Sequence, residues 1–309
     1  MSGAPAAPRG AEDPSPALAI RLQAAAVRAL AALLRLLPAG IVAALGSSVG
    51  AVYGIVARRR RHIAIANLTA ALGRDLPPDR IRAISDAAFR HFGRAAFEMI
   101  TMDRFGPGDA GGRIVYEGLE HLQAAHARRR GVFLFSAHFG NWEIAALMQG
   151  YLGMPLAMIT RPLDNPLLER FMRVRREASG NRVIGKRSAV RHALRAISEG
   201  MGVAIVIDQN VRSGARVFVD YFGRPASTTP TLALLALKTG VPIVPVFSFP
   251  GSGGSYRIVY GPEVTIDATG DRDADVRALT QKCTRIIEDQ VRARPDCWLW
   301  MHERWKTRP

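Results

Sequence analysis

The chain has 309 residues, is 48% hydrophobic and 22% charged, and carries a formal net charge of +16. That length holds one large catalytic domain plus a small helical appendage, and two cysteines exclude a disulfide-stapled fold. The positive balance favours anionic lipid head groups, phosphorylated glycolipids or an acidic carrier protein; with no metal-finger spacing, aromatic RNA-binding signature or recognition-helix pattern, nucleic acid becomes the minor choice.

Residues 1–17 form a Pro/Ala-rich tail expected to be disordered. Leu18 to Leu37 reads as a basic amphipathic helix, with Arg21, Arg28 and Arg35 one heptad apart. Leu36 to Ala57 then carries no charge, long enough at ~1.5 Å per residue to cross about 30 Å of hydrocarbon, and Arg58 to Arg61 follow. A single span with its carboxyl side cytoplasmic fits that cluster; Pro38 and the glycines fit an interfacial or re-entrant anchor. Residues 18–61 are therefore read as a membrane-associated segment and 62–309 as the catalytic domain. A cleaved signal peptide is not expected, because the apolar region starts too late and no small-residue cleavage site precedes Arg58. Gly46-Ser-Ser-Val-Gly50 matches a nucleophile-elbow pattern, but no strand precedes it, and a small-residue membrane stretch explains it better.

Ile81 to Met102 is helical by pattern and is placed over the mouth of a site; Phe92, Phe97, Met99 and Met102 fit either a core or an acyl tunnel. Tyr116 to Glu120 leads into a short helix. The apolar run Val132 to Ala137 reads as a buried strand, and His-Phe-Gly-Asn-Trp-Glu at 138–143 follows it directly. A His-x4-Glu spacing on one regular helix points the two side chains apart, so His138 belongs to a turn. Asn141 is then the N-cap of a helix that places Glu143 in its positive first turn, beside the imidazole. A carboxylate-held imidazole is a general base for a hydroxyl proton, a role typically contributing about 10²–10⁴-fold in rate. The alternative is a buried histidine satisfying its own hydrogen bonds beside a surface glutamate.

Two further strands, Pro155 to Thr160 and Val203 to Ile207, end at Arg161 and Asp208. Helices over Asp164 to Ala178 and Ser188 to Glu199 separate them. Strand and helix in alternation predict an α/β fold with ligands at the carboxyl ends of the strands, where His138, Arg161 and Asp208 converge. Local basic runs lie at Arg58 to Arg61, Arg128 to Arg130, Arg173 to Arg176, Lys186-Arg187 and Arg304 to Arg308. Cys283 falls on the apolar stripe of a long helix, and it and Cys297 are read as buried thiols.

The His-x4-Glu turn, Thr-Arg-Pro-Leu-Asp-Asn-Pro at 160–166, the arginine-rich helix after it, Ile207-Asp-Gln209, Phe222-Gly223, Val241 to Pro245 and the closing Trp298-Leu-Trp-Met-His-Glu-Arg-Trp-Lys-Thr-Arg308 together resemble the late acyltransferases of lipid A biosynthesis, within the His-x4-Asp/Glu glycerolipid acyltransferase group. The resemblance runs from about Leu36 to the C-terminus. It implies a mixed central sheet flanked by helices, and transfer of a fatty acyl chain from acyl carrier protein to a hydroxyl of a lipid A precursor at the cytoplasmic face of the inner membrane. The carrier thioester is a co-substrate, and neither cofactor nor metal is expected. Carried over by position, His138 is the base, Glu143 its partner, and Asp208 and an arginine of the 173–176 cluster are required residues. Arg176 fits by spacing from Arg161; an extra residue near Gly185 leaves Arg175 open. The chain departs from many glycerolipid acyltransferases, which carry aspartate at Glu143 and a Glu-Gly-Thr-Arg motif not found here.

On this reading His138 takes the acceptor proton, Glu143 holds the tautomer, and backbone N–H groups of Phe139 to Asn141 receive the oxyanion. Arg161 and Arg176 are candidates for phosphates of the acceptor or carrier, or else surface arginines paired to Glu169 or Glu177; Asp208 is a site carboxylate or an ordinary strand-end cap. Another glycolipid or lysophospholipid acceptor, a hydrolase and a non-catalytic basic membrane-binding protein remain as alternatives.

Overall fold

The computed structural model describes residues 17–185 and 188–309; the tail up to Pro16 and the Lys186-Arg187 pair lie outside the described residues. Helix α1 (Leu18–Arg35) stops before Pro38, and α2 (Ala39–Val56) begins after it. Proline has no N–H and disfavours helix at the residue before it, so the chain turns here. The uncharged stretch is thus shortened to an 18-residue helix, about 27 Å long at ~1.5 Å per residue and still long and apolar enough to cross a membrane.

One face of α2 packs on α4 (Pro78–Ile100) at a distance only glycine permits. A Cβ on Gly50 would lie 2.2 Å from the Phe89 carbonyl oxygen, and one on Gly93 would lie 2.2 Å from that of Gly46. The small residues of the false nucleophile elbow are therefore helix-packing residues, and Ser48 is exposed, bonded back to the Ala44 carbonyl at 3.0 Å. On other faces of α2, Leu45, Val49, Val52, Ile55 and Val56 are exposed. Helix α3 (Arg58–Leu72) runs through residue 61 and buries Leu68 and Leu72 in the main core, so the division expected at residues 61 and 62 falls inside a helix.

The rest is a seven-stranded mixed sheet flanked by helices. Its strands are β1 (Ile114–Glu117), β2 (Val132–Ser136), β3 (Leu156–Thr160), β4 (Arg182–Gly185), β5 (Gly202–Val206), β8 (Ile243–Pro250) and β9 (Tyr256–Tyr260), in the order β1-β9-β8-β2-β5-β3-β4. A separate hairpin, β6 (Val217–Tyr221) and β7 (Arg224–Thr228), turns at Phe222-Gly223. The five strands from β8 to β4 are parallel, joined across the faces by α6 (Trp142–Tyr151), α7 (Pro166–Glu177), α8 (Ala189–Ser198) and α9 (Thr231–Thr239); β9 and β1 run the other way. Every residue of β2 is buried, as an apolar run covered on both faces must be. Its alternation sends Phe133 and Phe135 into one core and Val132 and Leu134 into the other. Helix α10 (Arg272–Ala293) covers the first of these with Val276, Leu279, Cys283 and Ile287. Cys283 and Cys297 are both buried and free, and burial pushes each thiol up to about 12.

Candidate active site

Strand order decides which groups meet. β2 lies beside β5 with Ser136 opposite Val206, so two residues further along each strand His138 faces Asp208. Asp208 accepts from His138 Nδ1 at 2.8 Å through one carboxylate oxygen. Through the other it accepts from the His138 backbone N–H at 2.9 Å and from Trp298 Nε1–H at 2.7 Å. Burial alone would raise this carboxyl; the neighbouring His138 and these hydrogen bonds outweigh burial and hold it below the usual carboxylate range. An ionised Asp208 can only accept, which places the imidazole proton on Nδ1 and leaves Nε2 as the basic, accepting nitrogen. Nε2 accepts from the Gln209 side-chain N–H at 3.2 Å, and the imidazole and the Trp142 ring meet edge to face with centroids 4.9 Å apart.

Glu143 is not the partner of His138. Both its oxygens are taken by Arg176, at 2.8 Å from Nε and 2.6 Å from Nη2, in a bidentate pair buried between α6 and α7. Asn141 caps α6 as expected, accepting from the Ile144 N–H at 3.3 Å, and the first turn lies in positive potential as expected. The first turn of α6 aims Glu143 at α7, while Nδ1 is already engaged by the adjacent strand. Pairing with Glu143 raises the Arg176 guanidinium further against the effect of burial. With its charge neutralised, Arg176 is no free phosphate-binding cation, although its Nη1 is buried and has no partner among the described residues. The neighbouring choice, Arg175, bonds Asp103 at 3.1 Å and stacks on Phe171. Arg161 is 74% exposed and only loosely met by Asp164 at 3.5 Å, leaving it a cation at the mouth.

His138, Glu143, Arg161 and Arg176 line one cavity of about 450 Å³, with Trp142, Thr160 and Gln209. Its inner walls are Leu134, Ala145, Leu156, Met158 and Val246, and Thr160 Oγ1 is buried there with no partner among the described residues. A basic imidazole nitrogen thus borders a chamber with apolar inner walls, a polar rim and, among the described residues, two unsatisfied polar atoms, a setting for proton abstraction from a hydroxyl.

The turn that carries His138 is held from behind. Gly140 is left-handed, at φ 59°, and a Cβ there would sit 1.7 Å from the Ser248 carbonyl oxygen. The Gly140 N–H donates to the Cys297 carbonyl at 2.9 Å, and the Asn141 N–H to Ser248 Oγ at 2.7 Å, so two of the three expected oxyanion donors are already engaged. His91 of α4 reaches the Gly140 carbonyl through Nε2 at 3.1 Å. Burial brings its imidazole down to about 4, so it is neutral and donates. Trp298, Gln209, His91 and Ser248 escaped the reading from sequence; their only signals were the closing tryptophan motif and the Ile-Asp-Gln run. Trp298 and Trp300 are core residues, and Arg304 is buried against Ser227 and Thr228, removing it from the surface basic runs.

A family model for bacterial lipid A biosynthesis acyltransferases matches residues 16–307. The lipid A biosynthesis palmitoleoyltransferase of Escherichia coli is 28% identical over 88% of this chain and 87% of its own length. The lipid A biosynthesis lauroyltransferase of the same organism is 27% identical over 62% of this chain and 61% of its own. The phosphatidylinositol mannoside acyltransferase of Mycolicibacterium smegmatis is 28% identical over 77% of each. A match over nearly the whole chain sets aside the non-catalytic alternative: the protein is an acyltransferase and belongs to the bacterial lipid A biosynthesis acyltransferase family.

Proposed function

We propose that the protein transfers a fatty acyl chain from an acyl-carrier-protein thioester to a hydroxyl of a lipid A precursor, at the cytoplasmic face of the inner membrane, with His138 as general base. The observation that carries this is His138 on the cavity wall with Nδ1 held by Asp208, which leaves Nε2 as the basic nitrogen, met there by the Gln209 amide that the acceptor hydroxyl must displace. Nε2 takes the acceptor proton as its oxygen attacks the thioester carbonyl. The carbon–sulfur bond then breaks, and the imidazolium returns the proton to the leaving thiolate, so no acyl-enzyme forms. Asp208 stabilises the imidazolium. The Gln209 amide, beside Nε2, replaces the backbone N–H groups as nearest candidate donor to the oxyanion. Glu143 and Arg176 shape the wall, and Arg176 Nη1 remains as a donor to the thioester or head group. Arg161 supplies the free cation for a phosphate. The exposed Arg58, Arg59 and Arg60 directly after the apolar helix α2 support a cytoplasmic catalytic side.

The relatives named for lipid A support this acceptor. The likeness to phosphatidylinositol mannoside acyltransferases supports a second reading, another glycolipid acceptor. The test is transfer of radiolabelled acyl chain from acyl carrier protein to tetra-acylated lipid A precursor in detergent micelles, by wild type and His138→Ala. Label in a more acylated glycolipid with wild type alone is expected. Equal transfer by the variant would remove His138 as base; transfer only to a phosphatidylinositol mannoside would replace the acceptor; release of free fatty acid with no acylated product would make the protein a hydrolase.

A further inference from the structure

We propose that a second, open cavity between α1, α4 and α7 holds a hydrocarbon chain of the acceptor lipid; the inference rests on the transferase reading above. The space is about 310 Å³ and is lined by Val27, Phe92, Met99, Phe171 and Met172, with no ionisable side chain on its walls. Trp142 is also on its wall and lines the catalytic cavity as well. That ring packs on His138 at 4.9 Å between centroids and lies 6.5 Å from Phe92. Two apolar volumes therefore meet at one indole beside the base.

Acyl transfer between two lipidic substrates is served by such an arrangement. The transferred chain and the acceptor chain nearest the reacting hydroxyl must both be positioned while the thioester and the hydroxyl meet at Nε2, and two separate apolar volumes keep them apart. The inner cavity, walled by Leu134, Leu156 and Met158 and opening on His138, suits the transferred chain. The second opens near Ala96 and Leu163, both exposed, beside α1, whose Leu22 and Leu33 are also exposed. A chain entering there comes from the apolar side of the molecule. Its rim carries charge of the right sign: Arg175 lies over the Phe171 ring, and Arg35 and Arg175 share the single carboxylate of Asp103, leaving one cation uncompensated for an anionic head group. Phe92 and Met99 thus face an alkyl site, while Met102, from the same stretch, is fully buried core.

Ala96→Trp fills the mouth from an exposed helix position, where the larger side chain displaces no core residue. With purified full-length protein, its KM for tetra-acylated lipid A precursor is expected to rise at least about tenfold, the equivalent of roughly two methylenes left unburied. Its KM for an analogue bearing only butanoyl chains, and for the acyl-carrier-protein donor, should move less than about twofold. Val190→Trp, on the exposed face of α8, serves as control and leaves each value unchanged. An unchanged KM for the long-chain acceptor, or a shift that follows donor chain length, would overturn the assignment while the transferase reading stands. Absence of transfer by wild type would remove that reading and this one with it. Precursor carrying a photoreactive diazirine on one chain gives an independent readout: label on Phe92 to Ile100 or Leu168 to Met172 is expected, and label confined to the catalytic cavity would reject the site.

Discussion

Two buried carboxylates flank the catalytic cavity, and they do opposite things. Asp208, at the end of β5, spends both oxygens on the His138 unit and leaves a basic nitrogen exposed to the cavity. Glu143, in the first turn of α6, spends both of its own on Arg176 and leaves nothing basic at all. The difference lies in the neighbour each element is given: strand adjacency brings Asp208 an imidazole, and packing of α6 on α7 brings Glu143 a guanidinium. Closeness in sequence to His138 belongs to the carboxylate that does not hold it.

The comparison is broken most directly by neutralising each acid in turn. Asp208→Asn should lower turnover about 10³–10⁴-fold, because an amide at that place permits the wrong imidazole tautomer while the fold survives. Glu143→Gln should cost turnover less and stability more. Measured kcat for the two variants with matched circular dichroism decides it; a larger kcat loss in Glu143→Gln would return the orienting role to the glutamate.

Next in size is the ion pair itself. Arg176→Ala leaves a buried carboxylate unpaired and should destabilise the protein by about 3–5 kcal/mol, whereas Glu143→Gln together with Arg176→Met should be more stable than Arg176→Ala alone. Denaturant midpoints of the variants test this; equal losses for Arg176→Ala and the double variant would mean that the pair is not coupled. Smaller still, Trp298→Phe removes one charge-assisted hydrogen bond to Asp208 and should cost about 1.5–3 kcal/mol of stability, with a turnover loss well below that of Asp208→Asn. A turnover loss as large as that of Asp208→Asn would show that the indole, rather than the carboxylate alone, sets the tautomer.

What could be read from the sequence follows from range. The edges of β2, β3 and β5 fall within one or two residues of the apolar runs that announce them, and Asn141 caps α6, because apolar periodicity and capping are local. His138, Arg161 and Asp208 were placed at strand ends, and the structure brings them to one edge. The order of the strands is not local: nothing in Val132 to Ala137 says that β5, rather than β3, lies beside it, so the pairing of His138 with Asp208, and of both with Trp298, could not be read. The Glu143–Arg176 pair was hidden for the same reason, since helix-to-helix packing chose the face. Pro38 was legible as a weakness in the apolar stretch, and the chain does turn there; the contact of Gly46 and Gly50 with Gly93 needed the third dimension.

His91 gives the smallest and most diagnostic effect, because it supports the Asp208 side of the comparison without touching it. It is buried and neutral, its imidazole held down to about 4 chiefly by desolvation, with Nε2–H on the Gly140 carbonyl of the turn that carries His138. In the unfolded chain the same group titrates near its ordinary value of about 6.5. Between those values the unfolded state binds the extra proton, so the native state loses stability as pH falls from 6.5 towards 4. At pH 5.5 the loss relative to neutral pH should be roughly 1 kcal/mol. Carboxylates with lowered values, Asp208 among them, lose theirs only lower, near and below about 4, while Glu98, raised by burial, acts in the opposite sense and is common to wild type and variant. In His91→Gln the side-chain amide still donates to Gly140 but does not titrate there. Its stability should therefore decline less than that of the wild type between pH 7 and 5.5, as followed by urea midpoints; the slope that remains belongs to His302, which burial also lowers. Parallel decline of the two proteins would mean that the acid sensitivity of this turn arises elsewhere than His91.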